Sequence, residues 1–148
     1  MSYLVDTNIL LRLVHKSDSM HLITKGVLVT LQKQGEALWI VPQNLIEFWA
    51  VATRPTNGNG LGLTASEAYQ EMSLLKRLFS VKEDVPGIAT IWESLVVKYQ
   101  VLGKQTHDTR LVAAMIAHQI TYLLSFNVND FKRFSEIQVV DPRNFKGE

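Results

Sequence analysis

Short, wholly apolar runs alternate along the chain with stretches in which apolar residues recur every three or four positions. Tyr3-Leu4-Val5, Ala37-Leu38-Trp39-Ile40-Val41, Thr121-Tyr122-Leu123-Leu124-Ser125 and Ile137-Gln138-Val139-Val140 have the length and composition of strands. Between them the period changes to that of a helix. Ile9, Leu10 and Leu13 follow the first run, and a second helix is expected over residues 19–35, ended by Gly35. Pro42 suits the first position of a third helix, whose stripe is Leu45, Phe48, Trp49 and Ala52. A Gly- and Asn-rich loop covers residues 54–62. Thr64-Ala65-Ser66-Glu67 is a capping box that opens a helix with Ala65, Ala68, Tyr69, Met72, Leu75 and Phe79 on one side. Phe79-Ser80-Val81 suits a short strand. Pro86 is expected to open a helix carrying Ile88, Ile91, Trp92, Leu95 and Tyr99, closed by Gly103. The most apolar helix is expected over residues 108–118, beginning at Asp108, with a last short helical turn near Asp130.

Apolar strands separated by helices imply an α/β protein with a parallel sheet covered on both faces. Ligands in such sheets bind beyond the carboxyl ends of the strands, so the residues that follow each strand are the ones to inspect.

Composition narrows the chemistry. The chain has 148 residues, 47% of them apolar, enough for one sizeable core and a single domain over residues 1–148. It has no cysteine, which excludes disulfides, thiolate nucleophiles and Cys-based metal sites and fits a reducing, cytoplasmic location. The first apolar run lacks a preceding basic segment and is cut short by Asp6, so no secretory signal is expected. No uncharged stretch approaches the ~18 residues of a membrane helix. Fifteen basic residues against fourteen acidic leave a net charge of +1, which argues neither for nor against nucleic acid.

Four acidic residues stand out. Asp6 ends the first strand, Glu47 lies one turn into the third helix, Asp108 opens the most apolar helix and Asp130 follows the fourth run. Each has an ordinary structural explanation: helix caps for Asp6 and Asp108, a solvated edge for Glu47, a turn for Asp130. Jointly, all four fall on the same rim of the expected sheet. Carboxylates about 4 Å apart repel by roughly 4 kcal/mol at an effective dielectric near 20. Such a cluster needs protons or cations to persist. Ligation by oxygen alone selects Mg²⁺ or Mn²⁺.

The segments that carry these acids are Val5-Asp6-Thr7-Asn8, Leu45-Ile46-Glu47-Phe48-Trp49-Ala50-Val51, His107-Asp108-Thr109-Arg110-Leu111-Val112-Ala113-Ala114 and Leu124-Ser125-Phe126-Asn127-Val128-Asn129-Asp130-Phe131. In this order, and over nearly the whole chain, they resemble the PIN-domain family, specifically VapC-like toxin ribonucleases of type II toxin–antitoxin systems. The resemblance implies a three-layer α/β/α fold with a mostly parallel sheet of about four or five strands. It implies that Asp6, Glu47, Asp108 and Asp130 form a catalytic, metal-binding quartet for one or two Mg²⁺ or Mn²⁺ ions, supported by Thr7, Asn8 and Asn127. Asn127 stands where some members of the family carry an acid, so the fourth position is open between Asp130 and Asn127. The resemblance further implies RNA as substrate, products with a 5′-phosphate and a 3′-hydroxyl, a small antitoxin as partner and a homodimer.

Metal-assisted phosphodiester hydrolysis needs no side-chain nucleophile. His15, His21, His107 and His118 form no helical metal-binding pair. Arg12, Arg54, Arg110, Lys132 and Arg133 are candidates for phosphate contact, with Arg110 and Arg133 nearest the acidic motifs. The loop Thr56-Asn57-Gly58-Asn59-Gly60-Leu61-Gly62 lacks the Lys-Ser/Thr ending of a P-loop. Trp39, Trp49 and Trp92 sit on apolar runs and are expected in the core. The alternatives are a PIN-like RNA-binding module with weak or no nuclease activity, and a structural domain whose acids only cap helices. A phosphatase with an aspartyl nucleophile would want a second Asp two positions after the first, where this chain has Asn8.

Overall fold

Strands β1 (Ser2–Val5), β2 (Ala37–Ile40), β3 (Ser80–Val81), β4 (Tyr122–Leu124) and β5 (Gln138–Val140) form a 5-stranded sheet in the order β3-β2-β1-β4-β5. Every neighbouring pair is parallel. The computed structural model from which this is read describes residues 1–146. The helices are α1 (Thr7–Val14), α2 (His21–Lys33), α3 (Pro42–Ala52), α4 (Ala65–Leu78), α5 (Ile88–Lys98), α6 (Gln105–Ala117) and α7 (Val128–Phe131). Single 3-10 turns lie at Thr56–Gly58 and Pro142–Asn144.

The alternation of side chains along each strand explains the layers. Tyr3 and Val5 enter one core with Ile9, Leu10, Leu31, Phe48 and Leu75 from α1 to α4. Leu4 enters the other with Leu95, Leu111, Met115 and Phe131 from α5, α6 and α7. Leu124 and Leu123 divide in the same way. The sheet is therefore sandwiched between two helical layers, the three-layer α/β/α arrangement that the family resemblance implies. Leu4, Val5, Leu123 and Leu124 are fully buried, each gaining about 1.5–3 kcal/mol over an exposed position. Among the described residues no helix is long and apolar enough to cross a membrane.

Several expected boundaries move, each for a local reason. Asp18 accepts the Met20 N–H at 2.8 Å in a turn, so α2 starts at His21. Pro86 precedes Gly87, whose φ of 96° belongs to the left-handed region, and α5 starts only after it. That helix ends at Lys98, and Gln100 turns the chain at φ 49°, before Gly103 is reached. α6 begins at Gln105, not at Asp108, because Thr106 and His107 donate N–H bonds back to Gly103 and Lys104. Tyr69 is exposed while Ala68 and Leu75 face inward, so it lies off the buried stripe of α4. Trp39, Trp49 and Trp92 are half-buried rather than central. Trp92 Nε1 donates to the Thr106 carbonyl at 2.9 Å, and Lys82 Nζ sits 3.8 Å from the Trp39 ring centroid. The capping box holds: Thr64 and Glu67 exchange hydrogen bonds at 2.9 and 3.1 Å.

Candidate active site

The carboxyl ends of β1 and β4 lie side by side, with Val5 opposite Leu124. Asp6 and Ser125, the next residues of each strand, therefore meet. The Ser125 hydroxyl donates to Asp6 Oδ2 at 2.7 Å, and Asn8 Nδ2 approaches the same oxygen at 3.3 Å. Asp6 Oδ1 accepts the Thr7 N–H at 2.8 Å, so Asp6 does cap α1 as its sequence position allows. The cap accounts for one oxygen; the other is held by Ser125 and Asn8. Asp6 is buried, and burial pushes its carboxyl up to about 6. The Ser125 and Thr7 hydrogen bonds pull the other way, while the charges of Glu47 and Asp130 add to the rise.

Glu47 reaches the rim from α3. Pro42 opens that helix directly after β2, which sets Gln43, Asn44 and Glu47 at the sheet edge. Thr7 Oγ1 donates to Glu47 Oε2 at 3.0 Å and Gln43 Nε2 donates to Oε1 at 2.8 Å. Asn44 is fully buried, accepts the Val41 N–H at 2.9 Å and approaches Thr7 Oγ1 at 3.3 Å. Gln43 also donates to the His107 carbonyl at 2.8 Å, tying α3 to the first turn of α6.

Asp108, in that first turn, is half-buried, and its carboxyl is pushed up to about 7. Burial is the largest cause, followed by the charges of Asp6, Asp130 and Glu47; Arg133 opposes them. Asp130, half-buried in α7, belongs to the same electrostatic group. The Asn127 side chain is exposed, and its backbone N–H donates to Ser125 Oγ at 3.0 Å.

The structure thus brings Asp6, Glu47, Asp108 and Asp130 within mutual electrostatic reach. Among the described residues no three acidic or histidine side chains close on one point tightly enough to chelate an ion as they stand. The four acids form an electrostatic group rather than a closed chelate. Its donor set is carboxylate oxygen, with Arg133 the one cation that offsets Asp108. That chemistry fits a hard divalent cation and no softer metal. A cleft of about 610 Å³, lined in part by Glu47, His107, Asp108 and Arg110, opens on one side. Another of about 520 Å³, lined in part by Phe126, Asn127, Asp130 and Arg143, adjoins Asp130.

The other candidates divide. Thr7 and Asn8 touch the acids directly. Arg110 binds Gln43 Oε1 at 3.2 Å and Asp84 Oδ2 at 3.1 Å, and Arg133 binds Gln105 Oε1. His21 and His118 are held by the carbonyls of Arg12 and Glu83, both at 2.9 Å. Sequence reasoning gave no role to Ser125, Gln43 or Asn44. Their one visible signal is polarity at positions next to strand ends, inside otherwise apolar segments.

The family model for the PIN domain matches residues 3–137, a span that contains all four acids. The chain belongs to the PIN-domain family. Solved structures agree on the PIN fold. The chain is similar to VapBC2 from Rickettsia felis bound to a DNA fragment from their promoter (TM-score 0.75, 15% identity, 95% of this chain and 98% of that one). VapBC-1 from nontypeable Haemophilus influenzae gives a TM-score of 0.71 at 18% identity, covering 97% and 100% of the two chains. Mycobacterium tuberculosis VapC20, described as a sarcin-ricin loop cleaving toxin, gives 0.64 at 19% identity, covering 91% and 98%. Comparison with curated protein sequences finds no match.

Proposed function

We propose that this PIN domain, occupying residues 1–148, is a Mg²⁺- or Mn²⁺-dependent endoribonuclease and the cytoplasmic toxin of a toxin–antitoxin pair. The observation that carries the reading is the gathering of four carboxylates on one rim of the sheet, where burial first and the neighbouring acids' charges second raise Asp6 to about 6 and Asp108 to about 7. A structural domain would gain nothing from that repulsion. Asp6, Glu47, Asp108 and Asp130 are the residues that would hold the cation, directly or through water. When bound, a divalent cation polarises a phosphate oxygen, activates water and stabilises the leaving oxygen.

The chain supplies orientation for this chemistry. Ser125 and Asn8 fix one oxygen of Asp6, and Thr7 and Gln43 fix the two oxygens of Glu47. These contacts limit the rotations available to the carboxylates, as partners of metal ligands generally do. Burial and the neighbouring charges raise the Asp108 carboxyl to about 7, so a cation bound there would compete with a proton. The clefts on the two sides give an extended single strand room to cross the acids.

The partner follows from relatives. The Rickettsia and Haemophilus structures are VapBC2 and VapBC-1, the Klebsiella pneumoniae one is a toxin-antitoxin complex, and the Mycobacterium protein is a sarcin-ricin loop cleaving toxin. By analogy with these structures this chain pairs with a small antitoxin, and the family resemblance adds a homodimer to the proposal. Cleavage of total RNA with Mg²⁺ or Mn²⁺, with and without EDTA, tests the reading, and end sequencing identifies the products. Cleavage that yields 5′-phosphate ends, stops in EDTA and is absent from Asp6→Asn supports it. Undiminished cleavage in excess EDTA rejects the metal chemistry.

A further inference from the structure

Asn8 and Arg12 lie four residues apart on α1 and so share a face, one helical turn or about 5 Å apart. That face meets the segment after β4. Asn8 Oδ1 accepts the Phe126 N–H at 3.3 Å, and Asn8 Nδ2 reaches Asp6. One turn further, the Arg12 guanidinium carbon lies 4.1 Å from the centroid of the Phe126 ring. Phe126 is only 5% exposed, so the ring is a fixed platform. Arg143 supports the same residue by donating to the Phe126 carbonyl at 2.9 Å, but its charge is taken by Asp141, at 3.0 Å.

The other arginines near the acids are also engaged. Arg110 is paired with Asp84, and Arg133 is hydrogen-bonded to Gln105 and faces Asp108. Among the described residues, no carboxylate forms an ion pair with Arg12. A guanidinium stacked on a ring keeps the N–H donors of its edge available, and the stack removes most of the rotational freedom that binding would otherwise cost.

We infer that Arg12, held on Phe126, is a phosphate-binding subsite that takes the RNA backbone next to the phosphate at the acids. This deepens the nuclease reading and rests on it. The quartet repels RNA, and an unneutralised, pre-oriented cation one turn beyond Asn8, which itself contacts Asp6, offsets that repulsion where the strand enters. Phosphate contact positions the strand without selecting its sequence.

The test measures binding of a labelled, mixed-sequence single-stranded RNA over a range of salt concentrations, in EDTA and in an Asp108→Asn background that blocks cleavage. Arg12→Gln is expected to weaken binding about tenfold at low salt and to reduce the slope of log affinity against log salt by about 0.7, the value for one lost phosphate contact on a single strand. Arg12→Lys keeps the charge and should keep the slope. Arg77→Gln, on the exposed last turn of α4, serves as the control and should leave both quantities unchanged. An Arg12→Gln slope equal to the parent's overturns the subsite, as does an equal loss in Arg12→Gln and Arg12→Lys that follows a lowered melting temperature. Absence of salt-dependent RNA binding by the parent rejects the nuclease reading itself, an outcome distinct from a parent that binds and a variant that binds equally well.

Discussion

The hydroxyl of Ser125 donates to the carboxylate of Asp6 at 2.7 Å, although 119 positions separate the two in sequence. The parallel pairing of β1 with β4 creates the contact, and it lowers the proton affinity of an acid that burial raises. Ser125→Ala should therefore leave Asp6 with a still higher pKa and a less ordered oxygen. Mn²⁺ affinity is expected to fall about tenfold or more, in the range for partners of metal ligands. Titration of the purified variant with Mn²⁺ measures it. Affinity unchanged from the parent would remove Ser125 from the site.

Gln43 makes a second prediction, because its amide joins Glu47 Oε1 to the His107 carbonyl with both bonds at 2.8 Å. Gln43→Leu fills a similar volume and leaves those acceptors, and Arg110, without their partner. The buried loss should cost about 1–3 kcal/mol in urea unfolding. Cleavage should drop more than stability alone explains, since Glu47 gains freedom. A variant that is destabilised yet has full kcat at saturating Mg²⁺ would confine Gln43 to a structural role.

The layers of the fold were legible in the sequence because wholly apolar runs have few homes other than a sheet covered on both faces. The four acids were singled out because Asp6 and Asp130 follow apolar runs, Glu47 and Asp108 lie near helix starts, and their four segments together resemble the PIN family. Ser125, Gln43 and Asn44 were not, since a lone polar residue beside a strand end has no periodicity to reveal it. The preference among arginines shifted for a related reason. Proximity in sequence favoured Arg110 and Arg133, but Asp84 and Gln105 engage them, and those partners lie on other elements or an earlier turn. Arg12 gained weight only when Phe126, 114 positions away in numbering (126 minus 12), was found beneath it.

Protonation gives a third prediction, whose sign is fixed by Asp6 and Asp108. Both carboxyls stand above their ordinary value of 3.8, at about 6 and about 7. Between about pH 4 and 7 the folded protein thus holds more protons than the unfolded chain, and stability falls as pH rises. The stability these groups contribute is complete below about pH 4 and is lost as pH passes through about 6 and 7. In EDTA the melting temperature should therefore decline from pH 5 to about pH 8. Divalent metal should reverse the slope, because cations compete with these protons. A metal-free melting temperature that climbs steadily across this range would contradict the raised values.

Asp108→Asn separates a metal ligand from a helix cap at one position. Asp108 lies in the first turn of α6, where a negative charge meets the positive end of the helix, a contact worth about 0.3–1 kcal/mol. Against this stand the cost of burial and, after it, repulsion from Asp6, Asp130 and Glu47, and the raised carboxyl shows that the unfavourable contributions dominate. Asparagine keeps the shape and removes the charge. The metal-free variant should be at least as stable as the parent and should lose the slope with pH that Asp108 contributes. It should also lose most of the rise in melting temperature that Mn²⁺ gives the parent, because that rise follows affinity. Cleavage should fall to background. Melts of both proteins with EDTA and with Mn²⁺ measure these effects together. A variant less stable in EDTA that still gains the full metal-dependent rise would make Asp108 a structural residue of α6 and leave Asp6, Glu47 and Asp130 to hold the cation without it.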